Sequence, residues 1–273
     1  MPASALMNVM IGAARKAGRS LARDFGEVEN LQVSVKGPAN FVTAADLRAE
    51  EIIFAELSKA RPGYGFLMEE RGEVEGADRT HRWIVDPLDG TTNFLHSIPI
   101  FAVAIALERE GELVAGLIYN PVMNETFTAE KGQGAFLNDR RIRVAARAEL
   151  GTAVIGTGVP HSGRPGHQQF LREVRAVMAS SAGVRRTGSA ALDLAWTAAG
   201  RFDGFWESNL RPWDMAAGII LTKEAGGYAT DMNGKDKIFE TGSVVAGNET
   251  IQLKLLKILK SANAPAPSPA KTG

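Results

Sequence analysis

The chain of 273 residues contains no cysteine, which excludes disulfide bonds, thiolate metal ligands and a thiol nucleophile. Its four histidines, His81, His96, His161 and His167, do not follow the spacing of a metal-binding motif. We therefore expect them to have surface or structural roles. The absence of cysteine also fits a reducing compartment, and we expect a cytoplasmic protein.

The chain has no excess of charge of either sign, because 31 basic and 31 acidic side chains give a formal net charge of zero. Neither nucleic acid nor a membrane surface is therefore expected as the main partner. No apolar run approaches membrane-spanning length, and the N-terminal segment lacks the pattern of a signal peptide. Its apolar residues recur at helical spacing from Leu6 to Phe25, which predicts a docked amphipathic helix.

The order of predicted elements changes near residue 150. Before it, short strands separated by turns predict an antiparallel meander, whereas strands alternate with helices after it. Helices are predicted at about 4–26, 43–60, 168–179, 190–199, 212–225 and 249–260, and strands at 31–36, 65–68, 82–86, 101–108, 113–119, 125–129, 153–156, 184–186, 202–206, 228–230 and 244–246. We expect an α/β (α+β) protein with one domain over 1–260, subdomains of about 1–150 and 151–260, and a proline-containing flexible tail over 261–273.

The most informative segment is residues 83–93, Trp-Ile-Val-Asp-Pro-Leu-Asp-Gly-Thr-Thr-Asn. The apolar run predicts a buried strand that ends at Pro87, because proline cannot donate a ladder hydrogen bond. A turn into a short helix is expected next. Asp86 and Asp89, directed past a helix N-terminus, favour a hard cation beside a phosphate, and hence phosphate-ester chemistry. The same residues are also typical of an ordinary turn.

Two other segments place carboxylates at comparable positions. Glu69 and Glu70 end a short apolar run, where paired glutamates are more often a solvated strand edge. Asp214 follows Pro212 in the first turn of a predicted helix, where an aspartate also interacts favourably with the helix dipole. Small residues at 216–218 would let this helix approach its neighbours closely.

Together these segments resemble the inositol monophosphatase family, part of the superfamily that includes fructose-1,6-bisphosphatase and other lithium-sensitive, magnesium-dependent phosphatases. The resemblance extends in family order over nearly the whole chain, and rests on residues 86–93, on Trp-Asp-x-Ala-Ala-Gly at 213–218, on Glu69 and Glu70, and on Lys36 and Asp46. It implies a layered αβαβα sandwich and a homodimer. Met68 is a departure, since the family usually has glycine there, and it would narrow the space around Glu69.

The resemblance assigns the metal ligands to Glu69, Asp86, Asp89, Asp214 and the Leu88 carbonyl. These hard oxygen donors suit Mg²⁺ and disfavour Zn²⁺ or copper. Without cations the carboxylates would repel each other, so two to three Mg²⁺ ions are expected, with Glu69 anchoring the weakly held third. Two cations about 3.5–4 Å apart would clamp the attacking and leaving oxygens while an activated water attacks phosphorus directly.

The resemblance also assigns catalytic positions. Thr91 would orient the attacking water, with Asp46 as the acceptor behind its hydroxyl. Thr43 and Asp46 also match a helix capping box, and both roles can coexist. Backbone N–H groups of Gly90 and Thr91 would receive phosphate oxygens.

Substrate selection is expected mainly from the second half of the chain. The expected substrate-binding residues are Asp89, Gly90, Thr91, Arg185, Ser189, Ala190, Glu207 and Asp214. Glu207 is a natural acceptor for a vicinal diol, although it also fits an exposed acid at a strand end. Arg185 and Arg186 could serve either the substrate or a partner subunit. Gly156 and Gly158 are only a weak sign of a nucleotide loop.

The expected activity is Mg²⁺-dependent hydrolysis of myo-inositol 1-phosphate, or a closely related small polyol phosphate, to the alcohol and phosphate. Histidinol phosphate, fructose 1,6-bisphosphate and 3′-phosphoadenosine 5′-phosphate are alternatives that share this chemistry. An alternative of another class is a regulatory binding protein that keeps the fold without relying on catalysis. The presence of all four metal carboxylates favours an enzyme.

Overall fold

The computed structural model describes residues 3–25, 33–37 and 40–264, and it describes only the backbone of 33–37 and 40–42. Its helices are α1 (Ala5–Phe25), α2 (Ala44–Ala60), α3 (Thr91–Leu95), α4 (His167–Met178), α5 (Ala190–Ala198), α6 (Pro212–Glu224), α7 (Ile238–Thr241) and α8 (Glu249–Ala262). No helix in this described part of the chain has the length and apolarity needed to cross a membrane.

The strands form one antiparallel pair and two larger sheets. The pair is β1 (Val33–Gly37) with β2 (Asn40–Thr43). The eight-stranded sheet contains β3 (Tyr64–Met68), β4 (Gly72–Val74), β5 (Asp78–Asp89), β6 (Ala102–Arg109), β7 (Glu112–Asn120), β8 (Glu125–Glu130), β9 (Gly134–Leu137) and β10 (Arg140–Ile142) in the order β10-β9-β8-β7-β6-β5-β3-β4. The five-stranded sheet contains β11 (Val154–Thr157), β12 (Gly183–Arg185), β13 (Gly204–Ser208), β14 (Tyr228–Thr230) and β15 (Ser243–Gly247) in the order β12-β11-β13-β15-β14.

Hydrophobic packing arranges these elements in five layers. Helices α1 and α2 cover one face of the eight-stranded sheet, and α5 and α6 cover the other. The same α5–α6 pair packs against the five-stranded sheet, whose far face is covered by α4 and α8. The predicted αβαβα sandwich is confirmed, and α5 and α6 are the layer that joins the two sheets.

Close contact between α5 and α6 depends on Gly218, as the small residues at 216–218 predict. A Cβ added at this glycine would lie 2.4 Å from Leu194 Cβ on α5. The two helices could therefore not keep this separation with any larger residue at 218. Since each helix begins beside the cavity described below, their packing also fixes the positions of site residues.

The prediction that Pro87 ends its strand is wrong. Strand β5 continues to Asp89, with an irregular register against β6 between Asp86 and Asp89. Proline is tolerated at such a bulge because the ladder hydrogen bonds are already interrupted there. The predicted antiparallel meander is present as β6, β7 and β8, and the sheet that contains it is mixed, because β3 and β5 are parallel. The short elements β4, β9, β10 and α7 have too few residues to show a clear period, and they were not predicted.

The predicted tail begins too early. Helix α8 continues through Ala262, and the Asn263 side chain donates a hydrogen bond to Glu173 Oε1 at 2.7 Å. Glu173 is buried, and it also accepts hydrogen bonds from Gln169 and Trp206. Residues 261–264 are therefore part of the packed structure, while 265–273 lie outside the described residues.

We expect a chain that ends at residue 260 to melt a few degrees lower than one that ends at 264. The shorter chain loses the hydrogen bond from Asn263 to the buried Glu173, and a bond to a charged group contributes about 1.5–3 kcal/mol. For a domain of this size the shift is roughly 3–12 °C. Thermal unfolding of both chains beside the full-length protein measures it. Equal melting temperatures for the two truncated chains would contradict this role of Asn263.

Candidate active site

A cavity of about 590 Å³ lies where β5, α3, α5, β13 and α6 meet. Its wall contains the following predicted site residues: Glu69, Asp86, Leu88, Asp89, Gly90, Thr91, Ser189, Ala190, Glu207 and Asp214. These residues come from distant parts of the sequence, and each lies at or beside the end of a strand or the start of a helix. The fold therefore brings the predicted set together at one place.

The irregular end of β5 positions the first two carboxylates. Asp86 is buried, and its Oδ1 accepts a hydrogen bond from Leu88 N at 2.9 Å. Gly90 then turns the chain into α3 with a φ of 97°, a left-handed conformation that favours glycine. A Cβ at this position would also lie 2.9 Å from Ile100 O. The local structure thus requires glycine between Asp89 and Thr91.

Asp89 connects the two halves of the site. Its Oδ2 accepts hydrogen bonds from Ser189 Oγ at 2.6 Å and from Ala191 N at 2.8 Å, at the N-terminus of α5. Burial raises the pKa of Asp89 to about 6, and these hydrogen bonds work in the opposite direction. Ser189 also caps α5. Its hydroxyl proton is therefore directed to Asp89, and only its lone pairs remain for a substrate.

The electrostatics of the site show that its carboxylates repel each other. Burial, then the charges of Glu69, Asp89 and Asp214, raise the pKa of Asp86 well above its usual value. Burial and the charge of Asp89 also raise the pKa of Asp214 to about 7, although Asp214 Oδ2 accepts a hydrogen bond from Arg211 N at 2.7 Å. The protein's own cations do not compensate for this concentration of negative charge.

Thr91 and Asp46 form the predicted hydrogen-bonded pair. Thr91 Oγ1 lies 3.2 Å from Asp46 Oδ1 and 3.1 Å from Leu88 O, so its proton has two possible acceptors. Asp46 is fully buried, and its Oδ2 accepts hydrogen bonds from the backbone and side chain of Thr43. The capping box at the start of α2 is present as well. Asp46 therefore has both predicted contacts, and it lies behind Thr91 rather than in the cavity wall.

The donor set fits a hard divalent cation. It consists of four carboxylates and one carbonyl, all oxygen ligands of the kind that Mg²⁺ prefers. Burial raises the pKa values of Asp86, Asp89 and Asp214, and repulsion between carboxylates adds to the increase for Asp86 and Asp214; a bound cation would reverse these shifts. Among the described residues, no three acidic or histidine side chains are already arranged tightly enough to hold an ion.

Glu207 and two arginines, Arg164 and Arg186, form another part of the cavity wall. Burial, then the charges of Asp214 and Asp89, raise the pKa of Glu207 to about 8, while Arg164 and Arg186 lower it. The Glu207 carboxyl lies directly on Gly158, where an added Cβ would be 1.8 Å from Oε1. The absence of a side chain at Gly158 therefore leaves room for the Glu207 carboxyl. The sequence around Gly158 does not indicate this role.

Other predicted residues lie elsewhere. Arg185 does not line the cavity, and its guanidinium donates to Val184 O at 3.1 Å. The neighbouring Arg186 lines the cavity instead. Met68 is fully buried in the core with residues of α1 and α2, and its effect on the space around Glu69 stays a prediction. Lys36 lies in β1, and its side chain is outside the described part of the structure.

The chain is similar to known proteins over nearly its full length. The inositol monophosphatase family model matches residues 3–264. An inositol-1-monophosphatase of Mesorhizobium japonicum is 67% identical over 260 residues, which cover 95% of this chain and 98% of that protein. The Nus factor SuhB of Escherichia coli strain K12 is 42% identical over 251 residues, covering 92% and 94%. The crystal structure of the extragenic suppressor protein suhB from Bartonella henselae has a TM-score of 0.92 and 63% identity, covering 94% of this chain and 99% of that one.

Proposed function

This chain belongs to the inositol monophosphatase family, and on that premise we propose that it is a Mg²⁺-dependent phosphomonoesterase for myo-inositol 1-phosphate or a closely related polyol phosphate. The observation that carries the proposal is the convergence of Glu69, Asp86, Asp89 and Asp214 on one cavity, with raised pKa values for the three aspartates. The name of the Mesorhizobium japonicum relative supports the substrate class.

Two to three Mg²⁺ ions, held by these carboxylates and the Leu88 carbonyl, would place positive charge beside the phosphate. They would also lower the pKa of a water molecule, so that it could lose a proton and attack phosphorus. The role of Thr91 is to orient this water. When its proton is directed to Asp46, at 3.2 Å, its lone pairs accept a hydrogen bond from the water and orient it. The N–H groups at the start of α3 receive phosphate oxygens.

Glu207 binds the alcohol half of the substrate in this proposal. It lies at the end of β13 in the same cavity as the metal-binding aspartates, and Gly158 leaves room for its carboxyl. A carboxylate can accept hydrogen bonds from two adjacent hydroxyls, which suits a vicinal diol. Arg186 lines this part of the cavity as well, and we assign it the substrate contact that was expected of either Arg185 or Arg186.

Above about pH 8, where Glu207 is ionised, Glu207→Gln should reduce kcat/KM for inositol 1-phosphate about ten- to hundredfold, because a charge-assisted hydrogen bond contributes roughly 1.5–3 kcal/mol. It should matter much less for p-nitrophenyl phosphate, which has no diol. Asp46→Asn should slow both esters alike, because orienting the water does not depend on the alcohol. Steady-state kinetics with both esters measure the difference.

Gly158→Ala provides a second test of the role proposed for Glu207. The added methyl group would overlap the Glu207 carboxyl, so the side chain must move away from its present position. We expect the same selectivity as in Glu207→Gln, with loss on the polyol ester and little change on the aryl ester. Equal losses on both esters in the two variants would place Glu207 with the metal ligands or in the scaffold.

A panel of four phosphates tests the substrate assignment. Wild-type protein with Mg²⁺ should have its highest kcat/KM on inositol 1-phosphate, ahead of histidinol phosphate, fructose 1,6-bisphosphate and 3′-phosphoadenosine 5′-phosphate. A clear preference for one of the other three would transfer the assignment to that ester. No turnover of any of them would favour the regulatory class of protein instead.

Further properties are proposed as well. The protein is a cytoplasmic homodimer, its single domain extends to residue 264 with a division near residue 150, and lithium inhibits it by replacing the weakly held cation. Light scattering tests the dimer, and inhibition kinetics test the lithium effect.

A further inference from the structure

We propose that Asp193 is a second substrate-selecting residue, which binds a hydroxyl of the alcohol half beside the position of Glu207. The inference rests on the proposed function and deepens it, since it requires a substrate with more hydroxyls than Glu207 alone would bind. Asp193 belongs to no motif on which the family resemblance rests.

The position of Asp193 places it in the substrate half of the cavity. It lies in the first turn of α5, after Ser189 and Ala190, and like them it lines the cavity. Only 1% of the residue is exposed. A carboxyl group at this depth loses most of its hydration and must be satisfied by the protein or by a ligand.

Only one of the two oxygens of the Asp193 carboxyl accepts a hydrogen bond from a described residue. Oδ1 accepts a hydrogen bond from Thr187 Oγ1 at 2.5 Å, and no described residue donates a hydrogen bond to Oδ2. A second buried aspartate gives the comparison. Asp203, which is 2% exposed, accepts bonds on both oxygens, from Arg147 and from Val154 N. Both carboxyl oxygens of Asp203 thus have hydrogen-bond donors within the protein, whereas one oxygen of Asp193 remains available to a ligand.

Charged groups around Asp193 connect it to the same part of the cavity. Burial, then the charges of Glu207 and Asp89, raise its pKa well above the usual value, while Arg186 has the opposite effect. The charge of Glu207, on β13, therefore acts on Asp193, on α5. A ligand with several adjacent hydroxyls would satisfy both, because each hydroxyl can donate to one carboxyl and accept from a neighbour.

A structural role is the competing explanation. Asp193 meets the dipole of α5 favourably, and its bond to Thr187 steadies a loop whose carbonyl, Thr187 O, accepts from Asn93 Nδ2 at 2.9 Å. This role acts through Thr187, so it should affect every substrate. Recognition of a hydroxyl should affect only substrates that carry one.

The test compares Asp193→Ala, Thr187→Val and Asp203→Ala with wild type, on inositol 1-phosphate and on p-nitrophenyl phosphate. Asp193→Ala should lower kcat/KM for the inositol ester about tenfold to hundredfold, mainly through KM, and leave the aryl ester within about twofold. Thr187→Val keeps the carboxyl and should stay within about threefold of wild type on both esters. Asp203→Ala should lower the melting temperature with no such selectivity.

Equal losses on both esters in Asp193→Ala would overturn the inference, as would a Thr187→Val variant that reproduces the selective loss. If melting curves show that Asp193→Ala does not fold, Asp193→Asn takes its place. It keeps an oxygen for Thr187 and replaces the free carboxyl oxygen with an NH₂ group. A KM increase confined to the inositol ester supports recognition, and an unchanged KM overturns it. Failure of wild type to hydrolyse the inositol ester would instead contradict the proposed function itself.

Discussion

Asp89→Asn should reduce turnover of inositol 1-phosphate by at least about a hundredfold and leave the fold intact. Asp89 is a proposed metal ligand, and its loss of charge weakens cation binding and transition-state stabilisation together. The local structure should survive, because the amide oxygen of asparagine can still accept hydrogen bonds from Ser189 Oγ and Ala191 N. Steady-state kinetics at saturating Mg²⁺, with circular dichroism melting of the same samples, measure both effects.

Asp203→Asn is the matched control for this variant. It also neutralises a buried aspartate, but one that lies outside the cavity wall and is bonded to Arg147. Its turnover should remain near that of wild type. An Asp89→Asn enzyme that kept a large share of wild-type turnover would show that this carboxylate is not needed for the chemistry.

The metal-free protein should lose stability as pH rises from about 4.5 to 8. Burial is the main cause of the raised pKa values of Asp89, to about 6, Asp214, to about 7, and Glu207, to about 8. In the unfolded chain these groups release protons near pH 4. Between these limits the folded state binds more protons, so the free energy of unfolding falls as pH increases.

Each unit of pKa difference between the folded and unfolded states corresponds to about 1.4 kcal/mol of unfolding free energy. Partial exposure of the three carboxyls reduces their summed effect, and we expect the free energy of unfolding to fall by at least about 3 kcal/mol. The corresponding decrease in melting temperature is roughly 6–12 °C. Mg²⁺ should restore stability most strongly above about pH 7, because it binds the deprotonated carboxylates of the folded state. Calorimetry in chelator and in Mg²⁺ across this pH range measures the effect. A metal-free protein that became more stable toward pH 8 would contradict the description of the cluster.

Local sequence patterns predicted the elements that carry their own signals. Apolar periodicity predicted α1, the Thr43 cap predicted the start of α2, and Pro212 predicted that of α6. The family resemblance is confirmed, and the residues that it implies as metal ligands line one cavity. Strands β4, β9 and β10 were missed because three or four residues give at most two periods of alternation, whereas the equally short β12 and β14 were predicted from the alternation of strands with helices.

Contacts between distant segments could not be predicted in the same way. The bond from Ser189 to Asp89 joins residues that are 100 positions apart, and it depends on the packing of α5 against the first sheet. The choice between Arg185 and Arg186 depends on the orientation of one short strand, β12, at the edge of its sheet. The free oxygen of Asp193 appears only when its partners are known. Tertiary packing, rather than local propensity, decides all three.

Phosphate release from inositol 1-phosphate by wild-type protein, before and after removal of divalent cations, tests the central claim most directly. Turnover should disappear in excess chelator and return when Mg²⁺ is added back. Turnover that persisted in excess chelator would contradict the metal-dependent mechanism and the role assigned to Asp86, Asp89 and Asp214.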